Sequence, residues 1–473
     1  MGWPGAVRLI LRVEGATMWT KVILGLTVFG FAVFAGTPVK IADPCLETAI
    51  REALGGYEGP LFPELLNLIT ELNAVGYGIE NLGGIEHLRN IKTLDLSSNK
   101  IQDLSPLQEL KNLEELSVFD NQVQDLSPIG KLLGLKRLSV SYNKVEDLQP
   151  LSALLNLRSL NLMANPIRDL QPLAELRNLE ELNISLTDVY DLSPLSGLVK
   201  LNVLAAIGAN IWDLRPLASL RNLRVLIVKL NAIFDISPLS ELTELRWLNL
   251  SMNPISDISP LSFLVNLQHL ELQFCEISDI ESLANLQNLR YLDLLGNNVR
   301  DISPLQNLKN MEFLDLTGNP VRSLEPIRGL KELRVLGIAQ CGIRDISALT
   351  GLNKLQELKA HGNRIRDISP LEKLEELKAL DISGNDVRSI DPLAALKDLR
   401  ELLLGGNPVD DISALTHLER LWFLDISRTN VRDFRPLLEI KSLRVLSVSG
   451  MLLDEENKKV LEELEERGVM VLR

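Results

Sequence analysis

Aromatic rings are scarce in this chain: they make up 4% of its 473 residues, too few for the ring-rich core of a conventional mixed domain. Three cysteines cannot form a disulfide scaffold, and four histidines leave little material for a metal enzyme. His87, His269, His361 and His417 are scattered, and none stands in a recognisable motif with a nucleophile and an orienting acid. Phosphate-binding loops and clustered metal ligands are missing as well. Positive charge is in deficit: 49 Lys and Arg against 63 Asp and Glu give a formal charge of −14, which argues against a nucleic-acid binder. These shortages point away from an enzyme, a cofactor and a bound metal.

Leucine is what the chain has in excess. There are 100, about one residue in five, and a hydrophobic share of 46% excludes general disorder. Length alone would suggest about three domains at ~150 residues each, but leucine without rings points to a short repeat. From Ile91 one frame recurs every 22 residues without insertion, through Leu113 and Leu135 to Leu421, giving 16 units over 91–442. The first reads IKTLDLSSNKIQDLSPLQELKN.

Each position has a physical reason. Leu94 and Leu96 alternate with polar residues, the period-two pattern of a short strand with one buried face. Asn99 follows where the chain turns out of the strand. Eleven units have Asn there, and a buried column of amides can satisfy the turn backbone of neighbouring coils. Cys275, Cys341, Thr187 and Thr429 can do part of that work; Ala209 cannot, and Asn210 is the candidate to replace it. Ile or Val comes two residues later in all 16 units, and then Asp in 14, with Ser323 and Ser389 as exceptions. Ser105-Pro106-Leu107 reads as a helix start, with Ser as cap and Pro at the first helical position, and leaves room only for a short 3₁₀ turn. Such units bury their apolar faces by stacking, which gives one α/β solenoid roughly 70 Å long at ~4.8 Å per strand.

The pattern L-x-x-L-x-L-x-x-N-x-I-x-D-L-S-P-L resembles the 22-residue class of leucine-rich repeats. Internalin-like bacterial surface proteins and the leucine-rich regulatory subunit of protein phosphatase type 1 share it. The resemblance implies a horseshoe with a parallel β-sheet on the concave face, short 3₁₀ turns on the convex side and helical caps. Before the repeats, 36–90 reads as an N-terminal cap. DPCLETAIREAL supplies a capped helix, Pro63 to Leu72 a second helix, and Leu72, Ile79, Leu82 and Ile85 a degenerate repeat. This block looks like the cap of secreted bacterial leucine-rich proteins and favours that branch. At the other end 443–473 reads as a closing cap: a strand at Leu446 and Val448, a helix opened by Asp454 and stopped by Gly468, and a last strand in VMVLR.

Residues 1–35 read as a leader. Lys21 precedes a 14-residue apolar run, Val22 to Ala35, with Val33 and Ala35 at the small-residue positions of a signal-peptidase site before Gly36. The signal proper spans about 18–35, with Met18 a candidate start. The run is short for a membrane span; an uncleaved N-terminal anchor is the one membrane attachment this leaves. No apolar span or wall-sorting signal follows the closing cap, so anchoring by that end is not expected.

Cys275 and Cys341 stand three units apart, roughly 14 Å at the sheet spacing, beyond the ~7 Å a disulfide allows. They read as reduced, buried and small; Cys45 is expected buried in the cap and is the one candidate for an intermolecular bond. The Asp column suggests calcium, but an Asp before a helical turn also accepts backbone N–H groups, and the calcium-binding nonapeptide is absent. No metal is expected. The row Lys92, Lys136, Arg158, Arg224, Arg246 and onward to Arg400 reads as solvated charge answering nearby acids.

A binding surface would lie on strand residues that face away from the core. The residue before the second strand leucine reads Val203, Val225, Trp247, His269, Tyr291, Phe313, Val335 in consecutive units, with polar residues on both sides. Flanking positions read as exposed add Ile207, Ile227, Leu230, Met252, Phe274 and Leu295. A bordered aromatic patch marks a partner site; strand propensity and ring-on-ring stacking alone give the same residues. The expected function is that of a secreted or cell-surface, monomeric, non-enzymatic scaffold that binds a protein partner. Two readings stay open beside it: an intracellular regulator resembling the phosphatase subunit, and an envelope structural protein without a specific partner.

Overall fold

The computed structural model describes residues 37–473. The expected leader, with its apolar run and the cleavage after Ala35, lies outside the described residues. Helix α1, Pro44–Ala53, opens the fold. Asp43 caps it, one carboxylate oxygen accepting from Cys45 N at 2.8 Å, while the other accepts from Glu80 N at 2.8 Å and Asn81 N at 3.1 Å. One side chain therefore caps the helix and clamps it to the first coil. Burial pushes the Asp43 carboxyl up, but the backbone N–H groups of Glu80, Asn81, Cys45 and Leu46 outweigh it and hold the pKa below the ordinary value. The second helix is shorter than the sequence suggests: α2 covers only Pro63–Leu66. Glu71–Asn73 is already strand β1, because Leu72 is drawn into register with Leu94 of β2, Thr93–Asp95.

From β1 the pattern repeats to β18, Val445–Ser447: three residues of strand, each strand parallel to the next, with the central leucines paired. The closing strand β19, Met470–Leu472, pairs with β18 and completes one 19-stranded parallel sheet. The repeat leucines, isoleucines and valines form one continuous buried core along the stack.

The asparagine column works as a ladder. Asn121 Oδ1 accepts from Ile101 N at 2.9 Å, and its Nδ2 donates to Leu96 O of the preceding coil and to its own Val118 O. In the substituted units Cys341 Sγ reaches Leu316 O at 3.1 Å and Thr187 Oγ1 reaches its own Ile184 O at 2.7 Å. Beside Ala209 the Asn231 Oδ1 of the next coil makes its usual bond with Ile211 N and also accepts from Ala209 N, both at 3.0 Å. Asn210 is exposed and does not replace the missing amide. A second ladder runs down the descending side: Asn112 Nδ2 donates to Arg89 O, Asn156 to Leu133 O and Asn266 to Thr243 O, each across 23 residues.

The convex side is a row of 3₁₀ turns such as Ser105–Glu109. Serine does not cap them, since Ser105 is itself the first helical residue; Asp103 Oδ1, two residues earlier, accepts from Ser105 N at 2.8 Å. The Asp column is thus a column of Asx turns. At Asp125 and Asp191 the serine hydroxyl, then its N–H, holds the carboxyl below its usual range; at Asp257, Asp301 and Asp345 the N–H leads. At the far end α3, Glu455–Glu466, is capped by Asp454, and Gly468 at φ +84° ends it. Asn457 on this helix accepts from Phe434 N and donates to Arg432 O, so the last coil's open backbone is met by the cap.

Candidate binding surface on the concave sheet

Strands β9 (Trp247–Asn249), β10 (His269–Glu271), β11 (Tyr291–Asp293) and β12 (Phe313–Asp315) sit side by side in the middle of the sheet. Their parallel register sets Trp247, His269, Tyr291 and Phe313 directly opposite one another. The rings form a stack, with centroids 4.5, 3.9 and 4.0 Å apart and the last two pairs within 12° of parallel. Stacking turns the faces toward each other and leaves edges for solvent, so all four residues are half-buried. Trp247 Nε1 is enclosed without a hydrogen-bond partner.

The next outward-facing position of the same strands carries a run of acids that the sequence reading passed over: Asn249, Glu271, Asp293, Asp315, then Gly337. Asp293 and Asp315 are only 4% and 9% exposed. Glu271 takes a hydrogen bond from Asn249 Nδ2 at 2.8 Å and lies 2.7 Å from His269 Nε2. Asp293 accepts from Leu295 N at 3.0 Å and from Gln273 Nε2. Burial drives the Asp293 carboxyl up to about 6; the Leu295 N–H and the Gln273 amide resist, while Asp315 and Glu271 add to the rise. Burial also raises the Tyr291 phenol well above its ordinary value.

The rim beside the sheet is unusual in its backbone. Every coil turns there through a residue with positive φ; six of the sixteen repeats use glycine, for example Gly208, Gly296 and Gly318, and the other ten use residues such as Ser98, Tyr142 and Leu186. Leu230, Met252 and Phe274 take the same conformation at φ 60°, 57° and 50°, where a bulky side chain is strained. Leu230 and Phe274 are nonetheless 52% and 54% exposed, and Met252 is exposed beside them. The Phe274 ring lies over Gly296 so closely that a Cβ there would stand 2.5 Å from it.

Two flanking positions differ from the sequence reading. Ile227 is buried, at 8% exposure: the register sets it between Ala205 and Asn249, which are buried as well. Leu295 is half-buried, its N–H tied to Asp293. The structure therefore unites Trp247, His269, Tyr291 and Phe313 in one ladder and Leu230, Met252 and Phe274 in one rim, and removes Ile227 from the surface.

Other features resolve into structure. The basic row finds acids on neighbouring strands, as in Lys136–Glu114 and Arg290–Glu312 at 2.9 Å, and such exposed pairs contribute little stability. Cys275 and Cys341 are free and buried, their thiols pushed by burial to about 11; Cys45 is free and half-buried, short of the burial expected of it. Among the described residues no group of three or more His, Cys, Asp or Glu could hold a metal ion, and no helix is long and apolar enough to cross a membrane.

Comparison with known proteins gives a consistent result. A family model described as a leucine-rich repeat region matches residues 244–404, and one for paired leucine-rich repeats matches 89–131, 111–153 and 133–175. Among solved structures, a leucine-rich-repeat protein of Leptospira interrogans is 22% identical with a TM-score of 0.67, over 83% of this chain and 98% of that one. The functional domain of InlJ from Listeria monocytogenes, which includes a cysteine ladder, is 21% identical with a TM-score of 0.57, over 88% and 82%. The leucine-rich ectodomain of the Arabidopsis receptor kinase HAESA, solved with a peptide hormone, is 19% identical with a TM-score of 0.60, over 80% and 74%. These likenesses are likenesses of fold. No curated protein matches the chain.

Proposed function

The chain belongs to the leucine-rich-repeat proteins, and on that premise we propose that it is a secreted or cell-surface, non-enzymatic scaffold that binds a protein partner through its concave face. The contact centres on Trp247, His269, Tyr291 and Phe313 and on the rim residues Leu230, Met252 and Phe274. The observation that carries this reading is the rim. A glycine would relax the turn, as it does in the coils of Gly296 and Gly318, yet three consecutive coils hold large apolar side chains in the strained conformation and expose them. Apolar groups kept on the surface at a backbone cost, next to a bordered aromatic ladder, are the expected composition of a docking site. The HAESA ectodomain, similar in fold, was solved with a peptide bound, which supports a polypeptide as the class of ligand.

The test has two arms. Partners are captured on live cells by proximity labelling, with wild type and with Trp247→Ala/Phe313→Ala; the reading requires that the double change remove the specific partner, and an unchanged set of partners overturns it. N-terminal sequencing of the mature chain tests location: a start near Gly36 supports export, and a cytosolic chain that keeps its leader overturns it.

A further inference from the structure

We propose that the partner segment seated on the concave face presents a basic side chain, arginine or lysine, whose charged head docks against the Glu271–Asp293–Asp315 column while its aliphatic stem lies along the ring edges of the Trp247–Phe313 ladder. This rests on the reading above and names the chemistry of the occupant.

Charge complementarity carries the argument. Three carboxylates occupy the same position of adjacent strands, and like charges directly opposite repel. Among the described residues no lysine or arginine is ion-paired with any of them, and the one ion-pair contact of the column is His269 with Glu271. The contrast on the same strands is sharp, since Glu312, one position from the ring ladder, has Arg290 at 2.9 Å and Arg334 at 4.0 Å. Lys359, two strands beyond Asp315, is drawn instead to Glu357 at 2.9 Å. Asp315 accepts from Thr317 N through Oδ1, and Oδ2 has no hydrogen bond.

Shape agrees with charge. Opposite Asp315 the partner residue is Gly337, where a Cβ would stand 2.4 Å from Asp315 Oδ1. The Asp315 carboxylate fills the space a side chain at Gly337 would take, so glycine is what lets it lie there. The ring stack shows edges, so it offers apolar contact to a methylene stem. A guanidinium reaching past those edges can make a charge-assisted fork to a carboxylate. An acidic segment would meet repulsion from all three acids, and a wholly apolar one would leave them uncompensated.

The groups that face Asp293 are Glu271, Asp315, Tyr291, Gln273 and, farther off, Lys359, with His269 held on Glu271. With burial raising its carboxyl to about 6, a cationic guest binds the ionised form and gains strength as pH rises from 5 to 7.

The full chain is titrated with three blocked pentapeptides, Gly-Leu-Xaa-Leu-Gly, in which Xaa is arginine, its neutral isostere citrulline, or glutamate, and binding is followed by tryptophan fluorescence and NMR. The expected result on wild type is a preference for arginine over citrulline of about tenfold at pH 7, smaller at pH 5. In Asp293→Asn/Asp315→Asn that preference falls to within about twofold. Equal binding of arginine and citrulline by wild type overturns the proposal without any variant; so does a preference that survives the double substitution, or preferential binding of glutamate. Partner capture lost in Trp247→Ala/Phe313→Ala together with no arginine preference refutes the basic occupant alone. Capture that persists in that variant refutes the concave-face reading as a whole.

Discussion

The strain in the rim can be measured directly. Consider Leu230, Met252 and Phe274 replaced together, once by glycine and once by alanine. Both triple variants lose the same side chains, so the loss of packing cancels in the comparison. What differs is the backbone at φ 50–60°. A non-glycine residue there costs roughly 1–2 kcal/mol, while glycine at an ordinary position costs about 0.5–1 kcal/mol in chain entropy relative to alanine. The net per site is therefore about 0.5–1 kcal/mol in favour of glycine, and on the order of 2 kcal/mol over three sites if they add. Urea titration of the full chain reads this as a higher midpoint for the glycine variant at unchanged slope. Phe234 is the control, exposed and without positive φ; there glycine should be the less stable by about 0.5–1 kcal/mol. If the triple glycine variant is no more stable than the triple alanine variant, the rim is unstrained, and the inference that its side chains are kept for contact falls with it. Partner binding should drop equally in both, because neither carries the apolar rim.

Asn253→Ala orphans Ile233 N, while Val228 O keeps Asn231 Nδ2 and Leu250 O keeps the weak contact from Cys275 Sγ; at ~1–3 kcal/mol per buried orphan group it should cost about 1–3 kcal/mol in urea titration, and Asn253→Cys less, as Cys275 and Cys341 show that position accepts sulfur. Asp293→Asn should stabilise at pH 7.5. Its carboxyl titrates near 6 folded and near 3.9 unfolded, so its ionisation opposes folding above pH 6; the gain, at most ~3 kcal/mol, should fade as pH falls from 6 to 4, and a gain constant with pH refutes the assignment. Iodoacetamide on the native chain should label Cys45 before Cys275 and Cys341, whose buried thiols titrate near 11; mass spectrometry after timed quenching reads the order, and equal rates would refute the burial of the ladder thiols.

The ring ladder and the buried core were readable from sequence for one reason. In a parallel, in-register stack, residues 22 apart are spatial neighbours, so a column of letters is a row of contacts. Leu94, Leu116 and Leu138, or Trp247, His269 and Tyr291, need no further information to be placed side by side. What failed to show is what depends on the third dimension across columns. Ile227 looks like any outward strand residue, and only its place between buried Ala205 and Asn249 shows that it is covered. Ser105 looks like a cap, and only the path of the turn shows that Asp103 reaches the N–H first. The acid run Glu271, Asp293, Asp315 was legible by the same column rule and was missed because polar letters on an outward face read as ordinary solvated surface.

That last point bears on how such a surface selects its partner. The ring ladder by itself is permissive, since stacked edges accept any apolar group of suitable size. The acids beside it change the balance: a guest that covers the rings also takes away what water still reaches the carboxylates, Glu271 above all, and leaving a charge unpaired and dry is unfavourable. An apolar guest therefore gains from the rings and loses at the acids, and its net affinity is small. A guest with one cation at the right distance gains at both. The rings supply contact area and the acid column supplies discrimination, because it penalises every occupant that lacks the charge. On this reasoning Asp293→Asn/Asp315→Asn should do more than weaken the arginine peptide. It should strengthen the citrulline peptide, a rise that a purely attractive role for the acids does not produce.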